Sequence, residues 1–395
     1  MATQVLERPL DHRQAPRDIG RLPALDGVRG LAALVVVTYH ASLIARPFVD
    51  GELSRAVWAA ATESPLKLPF AGTEAVQVFF VLSGLVVTLP ALREGFSWSG
   101  YYVSRLLRLY LPVWAAIALS MGLIALLPRD PSKVTADSWM TEANLLTPDW
   151  AVAVHDATLT SRSYDTVNVL WSLRWELMFS IVLPVFVVVA LALRRHVWIA
   201  AGACVAAMVA GRVFNDDGGG LDALIYLPTF LLGCLIAVCL PELLAWARAR
   251  RRTTLWRWLA VISALVLIAS WWGRSFAPYG TVGYKALLGL AGAGAAGLIV
   301  VALCSPTAER LLQWRPAASL GALSFSLYLV HVPILVTLAF WWGDAAWPLV
   351  AAVGIPLSLG AAWVFWRVVE RPLHRLARAA GRRAQKLLPA GSMGA

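Results

Sequence analysis

Residues 25–46 read LDGVRGLAALVVVTYHASLIAR. The run 30–46, entered through Arg29, is apolar apart from Thr38, Tyr39, His40, Ser42 and the closing Arg46. A helix of such composition belongs in hydrocarbon, roughly 30 Å of which takes about 20 residues to cross. Working outward, comparable runs closed by charges or by Gly/Pro clusters lie at 71–92, 107–127, 169–193, 197–214, 223–243, 256–273, 282–304, 317–342 and 347–369. The pattern predicts an all-α, polytopic transmembrane helix bundle of about ten spans. It divides the chain into an N-terminal segment (1–22), a transmembrane domain (23–373) and a basic tail (374–395).

Composition agrees. Of 395 residues, 59% are hydrophobic and 14% charged, and the mean hydropathy is +0.67. Soluble domains carry about 25% charged residues, and no soluble fold of this length covers so much apolar surface with so few charges. A cytosolic enzyme, a disulfide scaffold and a disordered chain are excluded together. Cys204, Cys234, Cys239 and Cys304 lie in apolar stretches without a CxxC pair, so no metal site or redox motif is signalled. Residues 1–22 are polar and Arg-bearing without the apolar core of a signal peptide, and are expected to stay cytoplasmic.

The net charge of +11 comes from 34 basic against 23 acidic residues. A basic excess can signal nucleic acid, but no nucleic-acid partner is expected here because most basic residues sit between apolar runs. An even number of spans puts both termini on one side. With that side inside, 23 of the 34 basic residues fall inside and seven outside, as the positive-inside rule requires. Arg outnumbers Lys 30 to 4 and Ala is abundant, which points to a GC-rich bacterial source, so the expected location is a bacterial inner or plasma membrane, multi-pass. The longest loop, 128–168, falls outside and carries Asp130, Asp137, Glu142, Asp149, Asp156 and Asp165 with Trp139, Trp150 and Tyr164. It suits a sugar-like ligand, or is simply solvated. No internal repeat stands out, which weakens a transporter reading.

Ionisable residues within a bilayer are expensive and ask for a reason. Arg29 and His40 are eleven residues apart, within about 20° of whole helical turns, so they share one face with His40 roughly 16 Å deeper. Similar counting puts Glu176 about 20 Å and His331 about 21 Å from the inner surface, and Ser83 nearer to it at about 12 Å. His40, Glu176 and His331 thus come within about 5 Å of one another in depth, as a buried polar site would require. Arg105 and Arg108, i,i+3 on one helical face, can engage a single multiply charged anion at the inner mouth. No Walker loop or GxGxxG is present, so a nucleotide triphosphatase or Rossmann reading has no support.

The segments LPALDGVRGLAALVVVTYH, VQVFFVLSG, YYVSRLLRLYLP, WSLRWELMFSIVLP, LGALSFSLYLVHVPI and ERPL follow one another from Leu22 to Leu373. In this order the chain resembles the acyltransferase-3 family of integral membrane O-acyltransferases. The family's Arg-x10-His pair falls on Arg29 and His40, its Arg-x-x-Arg on Arg105 and Arg108, and its WSL-x-x-E on Trp171, Ser172, Leu173 and Glu176. Ser180 and Phe325 stand where tyrosine is common, and Gln77 where an acid is frequent. Some relatives add a hydrolase-like C-terminal domain; only a basic tail is expected here.

The resemblance implies transfer of an acyl group, often acetyl, from acyl-CoA to a hydroxyl, with acyl-CoA as co-substrate and no bound cofactor or metal. Arg29, Arg105 and Arg108 would hold the phosphates of CoA. Burial disfavours a charged imidazole, so His40 would rest neutral and act as general base. Glu176 would orient it as the third group of a triad does. Ser83, Trp171, Ser172, Tyr328 and His331 would line the site. The acceptor would be a surface glycan, a glycolipid or a glycosylated small molecule such as an antibiotic. The rival class is a transporter or flippase of a glycan or lipid intermediate, using the same buried charges as a path.

Overall fold

A computed structural model describes residues 22–162, 164–215, 219–249 and 253–387. The N-terminal segment with Arg8, Arg13, Arg17 and Arg21, the cluster Arg250, Arg251 and Arg252, and residues 388–395 of the tail lie outside the described residues. Among those described there are helices and no strands. Seven helices are long and apolar enough to cross a bilayer, and two bent pairs raise the number to nine. The difference from ten spans is local: the expected span 169–193 divides at Val182 into Leu170–Ile181 and Leu183–Leu193. The second part continues through a 3-10 turn at Arg194–His196 into the single helical run Leu183–Phe214, where the sequence suggests two spans, 169–193 and 197–214. Large apolar side chains such as Val188, Trp198, Ile199 and Trp258 face outward, as a surface in contact with lipid requires.

Eight helices build the site: α1 (Pro23–Ala45), α2 (Gly72–Ala91), α3 (Trp98–Leu126), α4 (Leu170–Ile181), α5 (Asp222–Val238), α6 (Arg315–Trp342), α7 (Trp347–Phe365) and α8 (Arg371–Leu387). At the centre is α6, where every residue from Ser326 to Thr337 is buried; a helix apolar on all sides is a core helix. It packs against α1 and α7, while α2 packs against α1 and α5, and α8 lies along α3.

The closeness of α1 to α6 has a local cause. A Cβ on Gly321 would collide with the carbonyl oxygen of Asp26, and one on Gly30 would come within 2.6 Å of the Gly321 nitrogen. Two backbones meet without side chains between them, the usual device for close helix contact in a membrane. From that contact the two helices run side by side, and their histidines meet further along.

Between α3 and α4 the loop does not lie over the surface. Tyr164, Thr166, Val167 and Val169 are buried, and Ser120 of α3 donates to the Thr166 carbonyl at 2.6 Å. The buried Asp156 carboxylate holds the same turn, accepting from the Thr166 N–H at 3.1 Å and its hydroxyl at 2.7 Å. Helix α4 therefore starts inside the bundle, not at its edge. At the far end, α7 closes in a π-turn, Trp366–Glu370, a geometry that recurs at functional sites. It turns Glu370 inward, where its carboxylate accepts from the Ser326 hydroxyl at 2.5 Å.

Candidate active site

His40 and His331 are both buried and touch across the α1–α6 contact, with His331 Nε2 3.1 Å from His40 Nδ1. Each Nδ1 also lies beside the carbonyl one turn back: His40 on Val36 at 2.9 Å and His331 on Leu327 at 2.8 Å. A carbonyl oxygen only accepts, so both Nδ1 atoms carry the hydrogen in the neutral rings. His331 Nε2 is then a bare acceptor, and the His40 Nδ1–H is shared between it and Val36. The consequence is a fixed tautomer. His40 Nε2 is left with its lone pair and no hydrogen-bond partner among the described residues, in a ring that lines a cavity.

That cavity is bounded by Tyr39, His40, Thr73, Trp139, Asn168 and Tyr328, among others. A second lies toward the end where α1 and α3 begin and is lined by Ser83, Arg105, Ser172, Glu176, Phe325 and Tyr328. A third, at that end, contains Arg29, Arg105, Arg108, Glu176, Glu370 and His374. The first and second share Tyr328 and Val76; the second and third share Arg29, Arg105 and Glu176. Shared walls make the three a series from an arginine-rich mouth to the imidazole of His40. Tyr328 stands at the join, its hydroxyl 2.6 Å from the Ser172 Oγ and donating to the Val169 carbonyl at 3.1 Å. It acts as a wall whose polar tip is already satisfied.

Glu176 does not meet His40. Its carboxylate accepts from Arg105 Nη2 at 2.5 Å and from the Ser83 hydroxyl at 3.2 Å. Arg105 Nη2 also donates to Ser83 at 3.2 Å, and its Nε to Ser180 at 3.1 Å, while Ser180 donates to the Glu176 carbonyl at 2.6 Å. The matched depths of His40, Glu176 and His331 therefore conceal two layers. The sunken start of α4 delivers Glu176 to the arginine of α3, and the partner at His40 is His331. Arg105 is thereby committed to a carboxylate. Arg29 and Arg108 have no ion pair among the described residues, and they are the cations free to meet an anionic ligand.

Several lining residues carry little signal in the sequence. Trp139 stands 5.4 Å from His40, ring centroid to ring centroid, although it belongs to the long loop. Tyr39 and Asn168 are single polar side chains in or beside apolar runs. Glu370 and His374 follow the tenth span, and only their i,i+4 spacing hints that they act together; His374 Nδ1 lies 3.7 Å from Glu370.

At the opposite end from the arginines, Lys67 is buried with its ammonium 3.7 Å from the Trp271 ring centre and 5.5 Å from that of Tyr39. Burial pulls its pKa down from 10.5 to about 8, against the opposing effect of Glu74. Between those two values the unfolded chain binds more protons than the folded one, so stability rises with pH across that window. Lys67→Met should lack this component. In thermal unfolding of detergent-solubilised protein from pH 7 to 10.5, the parent should gain on the variant. Parallel curves would show that Lys67 is charged at no cost.

The chain is 26% identical to "Acyltransferase MdmB" of Streptomyces mycarofaciens, over 91% of this chain and 94% of that protein. It is 24% identical to the "Putative peptidoglycan O-acetyltransferase YrhL" of Bacillus subtilis (strain 168), over 80% of this chain and 49% of that longer protein. No solved structure matches. The family model for the acyltransferase-3 type of acyltransferase domain matches residues 22–367, which takes in every helix from α1 to α7 and with them Arg29, His40, Ser83, Arg105, Arg108, Glu176, Tyr328 and His331. The chain is a multi-pass membrane protein, and it belongs to the acyltransferase-3 family.

Proposed function

We propose that the protein is an O-acyltransferase of a bacterial inner or plasma membrane. It moves an acyl group, acetyl in the simplest case, from acyl-CoA to a hydroxyl of a carbohydrate or glycosylated small molecule. The observation that carries this reading is the bare Nε2 of His40, held in one tautomer by His331 and Val36, with a series of neighbouring cavities that share walls between it and Arg29 and Arg108. Acyl transfer needs both: a base that removes the hydroxyl proton, and a site for the donor's phosphates at the distance of an extended arm.

In the reaction, the acceptor hydroxyl oxygen attacks the thioester carbonyl as His40 Nε2 takes its proton. The tetrahedral adduct collapses by breaking the carbon–sulfur bond. The leaving CoA thiolate recovers the proton from His40, so ester and thiol are the products and the imidazole returns neutral. During the step His40 is cationic, and its Nδ1–H becomes a stronger donor to His331 Nε2 and the Val36 carbonyl. Among the described residues, no serine or cysteine in this layer has an imidazole beside it, which favours direct transfer over an acyl-enzyme. Glu176 serves as the counter-charge that fixes Arg105 at the mouth.

Arg108 gives the cleanest test of the donor site, since it lines the mouth and makes no ion pair among the described residues. Arg108→Gln should raise the KM for acetyl-CoA roughly tenfold to a hundredfold, the worth of one charge-assisted contact, with little change in the KM for acceptor. An unchanged donor KM would remove it from the donor site. Arg105→Gln alone would strand a carboxylate within the bundle, at a cost of several kcal/mol, and is informative only with Glu176→Gln. The reaction class itself is tested by incubating purified protein with labelled acetyl-CoA and a hydroxyl-bearing glycoside. Label recovered as ester with release of the CoA thiol supports the reading. Movement of a glycan or lipid across vesicles with no thiol released would instead identify a transporter.

A further inference from the structure

The cavity at His40 differs in character from the mouth. Where Arg29 and Arg108 present charge, the wall around His40 is made by Tyr39, Trp139, Asn168 and Trp171, all neutral. None of these four side chains has a hydrogen-bond partner among the described residues, and none of their polar atoms is fully buried. The indole N–H of Trp139, the indole N–H of Trp171, the Tyr39 hydroxyl and the Asn168 amide are therefore polar tips with nothing to bind.

The aromatic surfaces are held in place. Trp139 opens the one-turn helix Trp139–Glu142, fixed where the Ser138 N–H donates to the Thr141 hydroxyl at 3.3 Å and the Asn144 amide donates to the Trp139 carbonyl at 3.0 Å. Met140, next in sequence, is buried and anchors the turn. The Trp139 ring is tilted 43° to that of His40. Tyr39 meets His40 edge-on at 5.1 Å between centroids. A Cβ on Gly72 would come within 2.5 Å of Tyr39, so the start of α2 presses directly on that side chain.

Flat apolar faces with outward N–H, O–H and amide groups match a ring that is apolar on its C–H faces and polar around its rim. That is a pyranose. An acidic ligand would find no cation in this wall. We propose that Tyr39, Trp139, Asn168 and Trp171 form the acceptor subsite, stacking one pyranose ring against Trp139 so that a ring hydroxyl points at His40 Nε2. The inference rests on the acyltransferase reading for its purpose, and on the cavity alone for its ligand.

Binding without turnover separates the two. Equilibrium dialysis of the full-length protein with radiolabelled methyl glycosides of glucose, N-acetylglucosamine and rhamnose should give saturable millimolar binding for at least one. Hexan-1-ol at the same concentration should not compete. Trp139→Ala should raise the dissociation constant at least tenfold, Asn168→Ala several-fold, and Trp139→Phe less than Trp139→Ala because it keeps the stacking face. The Trp139→Phe and Asn168→Ala variants also stand in should Trp139→Ala fail to insert. No saturable glycoside binding, equal competition by hexan-1-ol, or variants that bind like the parent would each overturn the subsite. Glycoside binding that depends on Trp139, in a protein that releases no CoA thiol, would uphold the subsite and overturn the acyltransferase reading.

Discussion

His40→Ala is expected to abolish acyl transfer, with a loss on the order of 100- to 10,000-fold in kcat, the usual contribution of a general base. The variant should insert and accumulate normally. His40 lies ten residues along α1 from Gly30, whose close approach to Gly321 joins α1 to α6, and removal of its ring enlarges a cavity that already exists. The KM for acyl-CoA should stay close to the parent value, since the arginines lie at the other end of the cavity series. The measurement is thiol release and ester formation by purified protein, with membrane yield as control. A variant that inserts and transfers at the parent rate would remove His40 from the mechanism.

His331→Ala should give the second largest loss, on the order of 100-fold in kcat, although His331 does not line the cavity at His40. Its Nε2 accepts from His40 Nδ1–H, so its service is to hold the ring and to share the positive charge that His40 acquires. The loss should stop short of the roughly 10⁴-fold caused by a wrong tautomer in a catalytic triad, because the Val36 carbonyl still fixes the Nδ1–H. Three readouts distinguish this positioning role from a merely structural one. The change should fall in kcat and not in either KM. The acid limb of the pH–rate profile should move, since the charge shared with His40 is lost. His331→Gln, whose side-chain carbonyl can accept the same hydrogen, should recover part of the rate. Equal losses in the alanine and glutamine variants, with both KM values raised, would mean that His331 only fills space.

The bundle was legible because hydrophobic runs bounded by charge survive any arrangement of helices in the membrane plane. The pairing of Arg29 with His40 on one face was legible too, because periodicity fixes angle along a single helix. What periodicity leaves open is which helix stands beside which. Glu176 and His331 match His40 in depth, yet only His331 is a neighbour, since α6 touches α1 at two glycines while α4 begins below a buried loop. Arg105 and Arg108 read as equivalent in sequence and part company in the structure, one tied to Glu176 and one free. Trp139 could be located only by seeing the loop fold back into the bundle. Trp150, in the short helix of the same loop capped by Asp149, reads much the same in sequence and stays exposed.

The mechanism depends most on the protonation of one ring. Nitrogen NMR of the detergent-solubilised protein with its six histidines labelled with ¹⁵N, and His40 assigned by its loss in His40→Gln, observes that protonation directly near neutral pH. The prediction is a protonated Nδ1 and a bare Nε2 at His40. A protonated Nε2, alone or together with Nδ1, would leave no base facing the acceptor and would contradict the mechanism.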